Sequence, residues 1–160
     1  MNYCYKNTRR HAVNPYDTIN EVLVKLFRDI MDIEEKAIIT EEFKDITNND
    51  MHVIEAIGIN GGRNMTSVAK DLSVTVGTLT IAINNLVKKG YVDRVRSEKD
   101  RRVVLVSLSD KGRSAFMHHK EFHEEMIQAT LDGLGPDETP VLVKALSNLT
   151  QFFREYPSRK

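Results

Sequence analysis

The sequence is poor in cysteine and has no tryptophan: Cys4 is its one cysteine in 160 residues. A single thiol excludes a disulfide within the chain and any zinc site made of several thiolates. The apolar runs are far shorter than the ~20 residues that cross a bilayer. The segment MNYCYKNTRR also lacks the apolar stretch of a secretory signal. We therefore expect a cytoplasmic protein.

Catalytic motifs are missing as well. The sequence contains no phosphate-cradling Gly-rich loop, no G-x-S-x-G turn and no H-E-x-x-H pair. We therefore predict that the protein is not an enzyme and uses no cofactor and no metal. Its length predicts one globular domain at residues 15–160, preceded by a flexible N-terminal arm at residues 1–14.

The chain has no net charge, because 23 basic residues balance 23 acidic ones. The distribution is nevertheless uneven. Residues 60–115 contain 11 Lys and Arg against 5 Asp and Glu, whereas the segments on both sides of them carry an excess of acid. A locally basic segment is the electrostatic footprint of nucleic-acid binding, so the neutral total does not argue against DNA.

The middle of this basic segment has the pattern of two short helices. Ala69 and Leu72 share the inner face of the first, and Leu79, Ile83 and Leu86 form the buried stripe of the second. We predict that threonines cap the helices and that a glycine ends the second one; these residues are Thr66, Thr75 and Gly90. The pattern predicts a helix-turn-helix.

A β-hairpin follows this helix pair. The segments 91–97 and 103–109 alternate or run β-branched, and they enclose the basic tip Glu98-Lys99-Asp100-Arg101-Arg102. Helix pair, glycine and hairpin in this order predict a winged helix-turn-helix core at residues 50–109. The fold class is therefore mainly α with a small β-hairpin wing.

The outer face of the second helix suits a DNA groove. With Leu79 at the centre of the buried face, Gly77, Ile81, Asn84 and Lys88 point outward. This face has no acid, an amide able to pair with adenine and an apolar group able to touch a thymine methyl. We predict that DNA is contacted by side chains of the helix pair and the wing, namely Ser67, Thr75, Val76, Gly77, Thr78, Thr80, Ile81, Asn84, Lys88, Arg96, Arg101 and Arg102.

Long apolar stripes at both ends of the chain predict flanking helices, at residues 16–37 and within residues 110–156. A shorter helix starting at Met51 is expected to be capped by Asn49 or Asp50 and to stop at Gly61-Gly62. Ser109 is expected to cap the helix after the wing, which would extend to about Leu134. The flanking helices hold more apolar residues than a small winged core requires, which predicts a homodimer.

This arrangement resembles the MarR family of dimeric bacterial transcription regulators. The wing R-S-E-K-D-R-R-V-V at 96–104 is similar to the family's acid-x-x-D-R-R signature, although Glu98 stands where Asp is commoner. Ser109-Asp110-Lys111-Gly112 is similar to the S/T-x-x-G sequence that begins the next helix. The resemblance extends to the fatty-acid-synthesis repressors of this family, through M-H-V-I-E-A-I-G at 51–58, V-G-T-L-T at 76–80 and H-K-E-F-H at 119–123.

The resemblance implies a repressor that binds a palindrome upstream of fatty-acid-synthesis genes. The two-fold symmetry of the expected dimer would place its recognition helices about one DNA turn, ~34 Å, apart. The resemblance also implies that acyl-acyl carrier protein is the corepressor that strengthens DNA binding. We expect an acyl chain to enter a cavity between the first helix, the helix at 51–59 and the helix that carries Phe116 to Met126. The residues expected in this effector pocket are His52, Phe116, His119 and His123.

His119 and His123 leave an alternative open, because two histidines four residues apart on a helix can grip a metal. A pair of histidines between Phe116 and Met126 is more often a hydrogen-bonded core feature. If the pair does bind a metal, the function would be that of a DNA-binding sensor of zinc; a sensor of a small aromatic ligand is the other form of this alternative. A winged helix that binds only protein is disfavoured by the acid-free helix face and the D-R-R wing.

Overall fold

The computed structural model describes residues 14–97, 100 and 103–156, except for the side chain of Glu35. It contains six helices and three short strands within these ranges. In chain order they are α1 (Pro15–Ile38), α2 (Asn48–Ile57), β1 (Arg63–Asn64), α3 (Met65–Asp71), α4 (Val76–Lys88), β2 (Val92–Arg96), β3 (Val104–Leu108), α5 (Asp110–Leu131) and α6 (Glu138–Glu155). They fall into two compact units that divide after Phe116, within α5. The mainly α fold with a small β wing is confirmed.

Helix α2 begins and ends earlier than the sequence pattern predicts. Its N-cap is Thr47, whose hydroxyl accepts from the Asp50 amide while the Asp50 carboxylate accepts from the Thr47 amide. This capping box satisfies two amides at once, which neither Asn49 nor Asp50 does as a lone cap. The helix stops at Ile57 because Gly58 adopts a positive φ of 68°, before the Gly61-Gly62 pair is reached.

The helix-turn-helix consists of α3 and α4. Asn64 rather than Thr66 caps α3, since its side chain accepts from the Ser67 amide at 2.8 Å and Thr66 already lies in the first turn. The predicted Thr75 cap of α4 is confirmed by its bond from the Thr78 amide at 3.1 Å. Helix α4 ends at Lys88, and Gly90 follows it with a φ of 80°.

The wing is part of a three-stranded antiparallel sheet with the order β1-β3-β2. Strands β2 and β3 pair from Val92 opposite Leu108 to Arg96 opposite Val104, which confirms the hairpin. Strand β1 was not predicted; it pairs Arg63 with Val106 and Asn64 with Leu105. The helix-turn-helix therefore starts directly from the sheet, which fixes α3 against the base of the wing.

One apolar core holds the first unit together. It joins the connector after α1 to α2, α3, α4 and the sheet, and its fully buried members include Met51, Ile54, Leu79, Ile83, Leu86 and Tyr91. The stripe predicted for α4 is thus the side that faces this core. Residues of α1 contribute mainly at its end, through Ile38.

The second unit contains the rest of α5 together with α6. Helix α5 stops at Leu131, three residues before the predicted end, and Gly133 follows with a φ of 84°. Ser109 caps its start as predicted, since the Ser109 hydroxyl accepts from the Gly112 amide at 3.1 Å. None of the described helices combines the length and the apolar character that a lipid bilayer crossing requires.

Candidate DNA-binding surface

The outer face of α4 is exposed over its whole length. Ile81 is 66% exposed, and Gly77, Asn84 and Lys88 are exposed on the same side. The opposite side, with Leu79, Ile83 and Leu86, is buried in the core. An apolar side chain at the centre of this polar, acid-free face can contact a thymine methyl in a major groove.

The threonines of α4 are less available than the sequence indicates. The Thr78 hydroxyl lies 2.9 Å from that of Thr75, and the Thr80 hydroxyl donates to the Val76 carbonyl at 2.7 Å. Thr78 also lines a cavity of about 440 Å³ behind α4, together with Asn49, Asp50, His52, Val53, Leu72, Val74, Leu79 and Ala82. The hydroxyls of Thr75, Thr78 and Thr80 are therefore all engaged in hydrogen bonds at the start of α4.

The remaining predicted contacts surround α4. Ser67 is half-buried in the first turn of α3, where its amide is bound by Asn64. Arg96 is exposed at the end of β2, and Arg94 shares its strand face two residues earlier and is also exposed. Arg94 was not among the predicted residues, although its period-2 spacing from Arg96 was the signal. Arg101 and Arg102 lie outside the described residues.

Polar contacts hold the C-terminal end of α4. Lys89 donates to Asp50 on α2 at 2.7 Å, and Lys111 on the first turn of α5 donates to the Lys89 carbonyl at 3.2 Å. Tyr91 donates to Asp45 at 2.6 Å. This hydrogen bond and the nearby Lys111 ammonium hold the pKa of Asp45 below its usual range, although partial desolvation opposes them. Burial and the same carboxylate raise the pKa of Tyr91.

The residues predicted for an effector pocket are distributed over both units, and the pocket itself stays a prediction. His52 is half-buried on α2, with its Nδ1 3.6 Å from the Glu55 carboxylate, and lines the cavity behind α4. Phe116 packs against the apolar core of the first unit. In the second unit, His119 and His123 are brought together with 3.0 Å between their Nε2 atoms, and Phe122 stacks beside His119. The two imidazoles thus form the hydrogen-bonded pair that the sequence allowed.

The chain is similar to known proteins in both sequence and structure. Residues 35–119 match the family model described as the transcriptional regulator SarA/Rot. The crystal structure of FabT from Streptococcus pneumoniae in complex with DNA superposes with a TM-score of 0.80 at 43% identity, covering 88% of this chain and 99% of that one. The residues that match the family model include the whole helix-turn-helix and wing.

Two further similarities agree with this result. The transcriptional repressor YetL of Bacillus subtilis is 24% identical over 91% of this chain and 90% of its own length. A mutant of MepR from S. aureus bound to an oligodeoxyribonucleotide shares the fold, with a TM-score of 0.59 and 19% identity over 84% of this chain and 97% of that one. The family model and YetL are described as transcription regulators, and the FabT and MepR structures contain DNA. The fold is accordingly that of a winged-helix transcription regulator rather than of an enzyme.

Proposed function

Because this chain belongs to the MarR family of winged-helix DNA-binding transcription regulators, we propose that it is a repressor that binds a palindromic DNA operator as a homodimer. The observation that carries the proposal is the exposed face of α4 with Ile81 at its centre. Its size fits the major groove, and its lack of carboxylates avoids repulsion from phosphate. Such a repressor acts on DNA in the cytoplasm.

Exposed apolar residues on the flanking helices support the homodimer. In α1 these are Tyr16, Ile19, Val22, Val24, Leu26, Phe27, Met31 and Ile33. In α6 they are Val141, Val143, Leu146, Phe152 and Phe153. Apolar surface of this extent is unusual on a monomer, and a second copy of the chain covers it in the proposed dimer. Light scattering at micromolar concentration should give the mass of two chains.

The first test uses a DNA duplex that the protein itself enriches from a randomised pool. Asn84→Ala removes the amide from the exposed face of α4 and should relax selection at particular base pairs by about 1–3 kcal/mol, without changing the fold. Asn60→Ala is the matched control, since Asn60 is also exposed but precedes the helix-turn-helix. Identical selection profiles for Asn84→Ala and the parent protein would show that α4 presents a different face to DNA.

The wing arginines are the second test. We expect replacement of both Arg101 and Arg102 with Ala to weaken binding to every DNA sequence and to flatten its dependence on salt, because fewer counterions are released. A salt titration of the binding constant measures both effects. If the affinity and the slope stay unchanged, the wing tip has no part in DNA binding.

We further propose that the regulated genes are those of fatty-acid synthesis and that acyl-acyl carrier protein is the corepressor. Two similarities support this proposal: the motifs shared with the fatty-acid-synthesis repressors, and the 43% identity with FabT. Each methylene moved from water into an apolar lining gains roughly 0.8 kcal/mol, so a long chain supplies enough binding free energy to favour one state of a dimer.

A gel shift with carrier proteins of increasing acyl length tests this proposal. Operator binding should tighten with chain length, whereas the unacylated carrier should have no effect. By linkage, operator DNA should tighten acyl-carrier binding by the same factor. The His119–His123 pair keeps zinc as the alternative effector. Zinc-dependent binding that His119→Ala and His123→Ala abolish, with no response to acyl chains, would replace the carrier by the metal.

A further inference from the structure

The C-terminal end of α4 is joined to two distant segments by one small polar cluster. We define the Asp45 cluster as Asp45, Tyr91 and Lys111, which come from the connector after α1, the residue before β2 and the first turn of α5. The Tyr91 hydroxyl donates to Asp45 at 2.6 Å, and the Lys111 ammonium lies 3.3 Å from the same carboxylate. Three segments separated by up to 66 residues thus meet at one carboxylate.

Lys111 has a position that a surface lysine rarely has. Its Nζ lies 4.0 Å above the centre of the Tyr91 ring and donates to the carbonyl oxygen of Lys89 at 3.2 Å. Lys89 is the C-cap of α4, where the helix dipole leaves partial negative charge. The ammonium therefore stabilises the end of α4 electrostatically and rests on an aromatic face at the same time.

Hydrogen bonds connect the backbone around the cluster. Tyr91 is fully buried, and its carbonyl accepts from the Ser109 amide at 3.0 Å. The Ser109 hydroxyl donates to the Gly90 carbonyl at 2.6 Å and accepts from the Gly112 amide. These hydrogen bonds hold the segment between α4 and β2 against the start of α5. Lys111, in the first turn of α5, is therefore held at a defined position relative to the end of α4.

We propose that Lys111 is a positioning residue for DNA recognition. Its ammonium group lies between Asp45 and the Tyr91 ring and binds the C-cap carbonyl of α4, and this contact sets the direction of the helix. This inference rests on the proposed function, in which α4 reads DNA. Lys111 acts through α4 and not by touching DNA. Its loss therefore reduces discrimination between the right and the wrong sequence more than it reduces the general attraction to DNA.

Two substitutions with opposite charge changes separate positioning from simple electrostatics. Lys111→Met keeps a side chain of similar length but removes one positive charge, and Asp45→Asn removes one negative charge and releases Lys111. If only net charge mattered, the two would shift DNA affinity in opposite directions. If Lys111 positions α4, both lower the ratio of binding to the selected duplex over a scrambled duplex, roughly tenfold for Lys111→Met.

Lys120→Met is the matched control, because Lys120 forms an ion pair of nearly the same length, 3.2 Å to Glu124, on the same helix. It should leave the discrimination ratio unchanged. The salt slope of Lys111→Met on scrambled DNA should equal that of the parent protein; a slope shallower by about one would make Lys111 a direct phosphate contact and overturn the proposal. Opposite shifts for Lys111→Met and Asp45→Asn, or no shift in either, would also overturn it.

The same measurements with Asn84→Ala distinguish this inference from the proposed function. If Asn84→Ala changes the selected sequence but the two cluster variants keep the parent's discrimination, α4 reads DNA and Lys111 does not position it. If Asn84→Ala and the cluster variants are all without effect on discrimination, the assignment of α4 as the recognition helix fails first. Thermal unfolding of each variant shows that the compared proteins are folded at the assay temperature.

Discussion

Gly112→Ala is expected to lower the free energy of unfolding by roughly 2–4 kcal/mol, the range of severe steric conflicts in a packed interior. A Cβ on Gly112 would overlap the carbonyl oxygen of Tyr91, and it would lie 3.0 Å from that carbonyl carbon and 3.3 Å from the Cβ of Leu108. The nearest obstacle is backbone, so no side chain can rotate away. Relief requires the first turn of α5 to move from the sheet. Urea unfolding followed by circular dichroism measures the change.

Gly77→Ala is the control for the general effect of replacing a helical glycine. Gly77 lies in the first turn of α4, and its added Cβ would meet only the Thr75 hydroxyl at an ordinary 3.7 Å. Alanine restricts the unfolded chain and favours helix, so stability should stay constant or rise by up to ~1 kcal/mol. Equal unfolding free energies for the two variants would mean that α5 is not held as tightly against Tyr91 as described.

The helices and the wing could be predicted because their signals are local. A stripe such as Leu79, Ile83 and Leu86 has a helical period, and the segments around the wing tip have a strand period, so each sequence window contains its own information. The same reasoning placed Ile81 and Asn84 on the outer face, and both are exposed. The family was recognisable for the same reason, since its motifs are continuous segments.

The caps were predicted less well because several polar residues compete for each helix start. Thr66 and Asn64 are both good N-cap residues, and geometry selects Asn64 because it ends the short strand β1. Strand β1 itself has two residues and therefore no period to detect. It exists only because β3 offers a partner far along the chain, as the pairing of Arg63 with Val106, 43 residues later, shows.

Long-range polar contacts were beyond reach for a different reason. Nothing near Asp45 indicates that its carboxylate binds Tyr91, which is 46 residues away. Thr78 was predicted to contact DNA from the flank of α4, and this stays a prediction; its hydroxyl lies beside that of Thr75, and the residue also lines the cavity behind α4. One residue corresponds to about 100° of rotation on a helix, so flanking positions are the ones that a helical wheel assigns least well.

Ile81→Glu is expected to have the largest effect on function, a loss of at least about a hundredfold in affinity for the selected duplex. The side chain is 66% exposed at the centre of the α4 face, so the substitution leaves the core intact and unfolding should change by no more than ~0.5 kcal/mol. In the complex, the carboxylate would face phosphates and base acceptors, and an apolar contact with a thymine methyl would be lost. Equilibrium binding at fixed salt measures the loss.

Val87→Glu separates this effect from the general cost of an added negative charge. Val87 is on the same helix and 40% exposed, but it lies about 120° around the helix from Ile81. Both variants change the net charge equally, so long-range repulsion from DNA is nearly the same in the two. We expect Val87→Glu to retain most of the parent affinity, within about threefold at moderate salt. If the two variants bind equally well, or Val87→Glu is the weaker one, the face of α4 that meets DNA is centred away from Ile81.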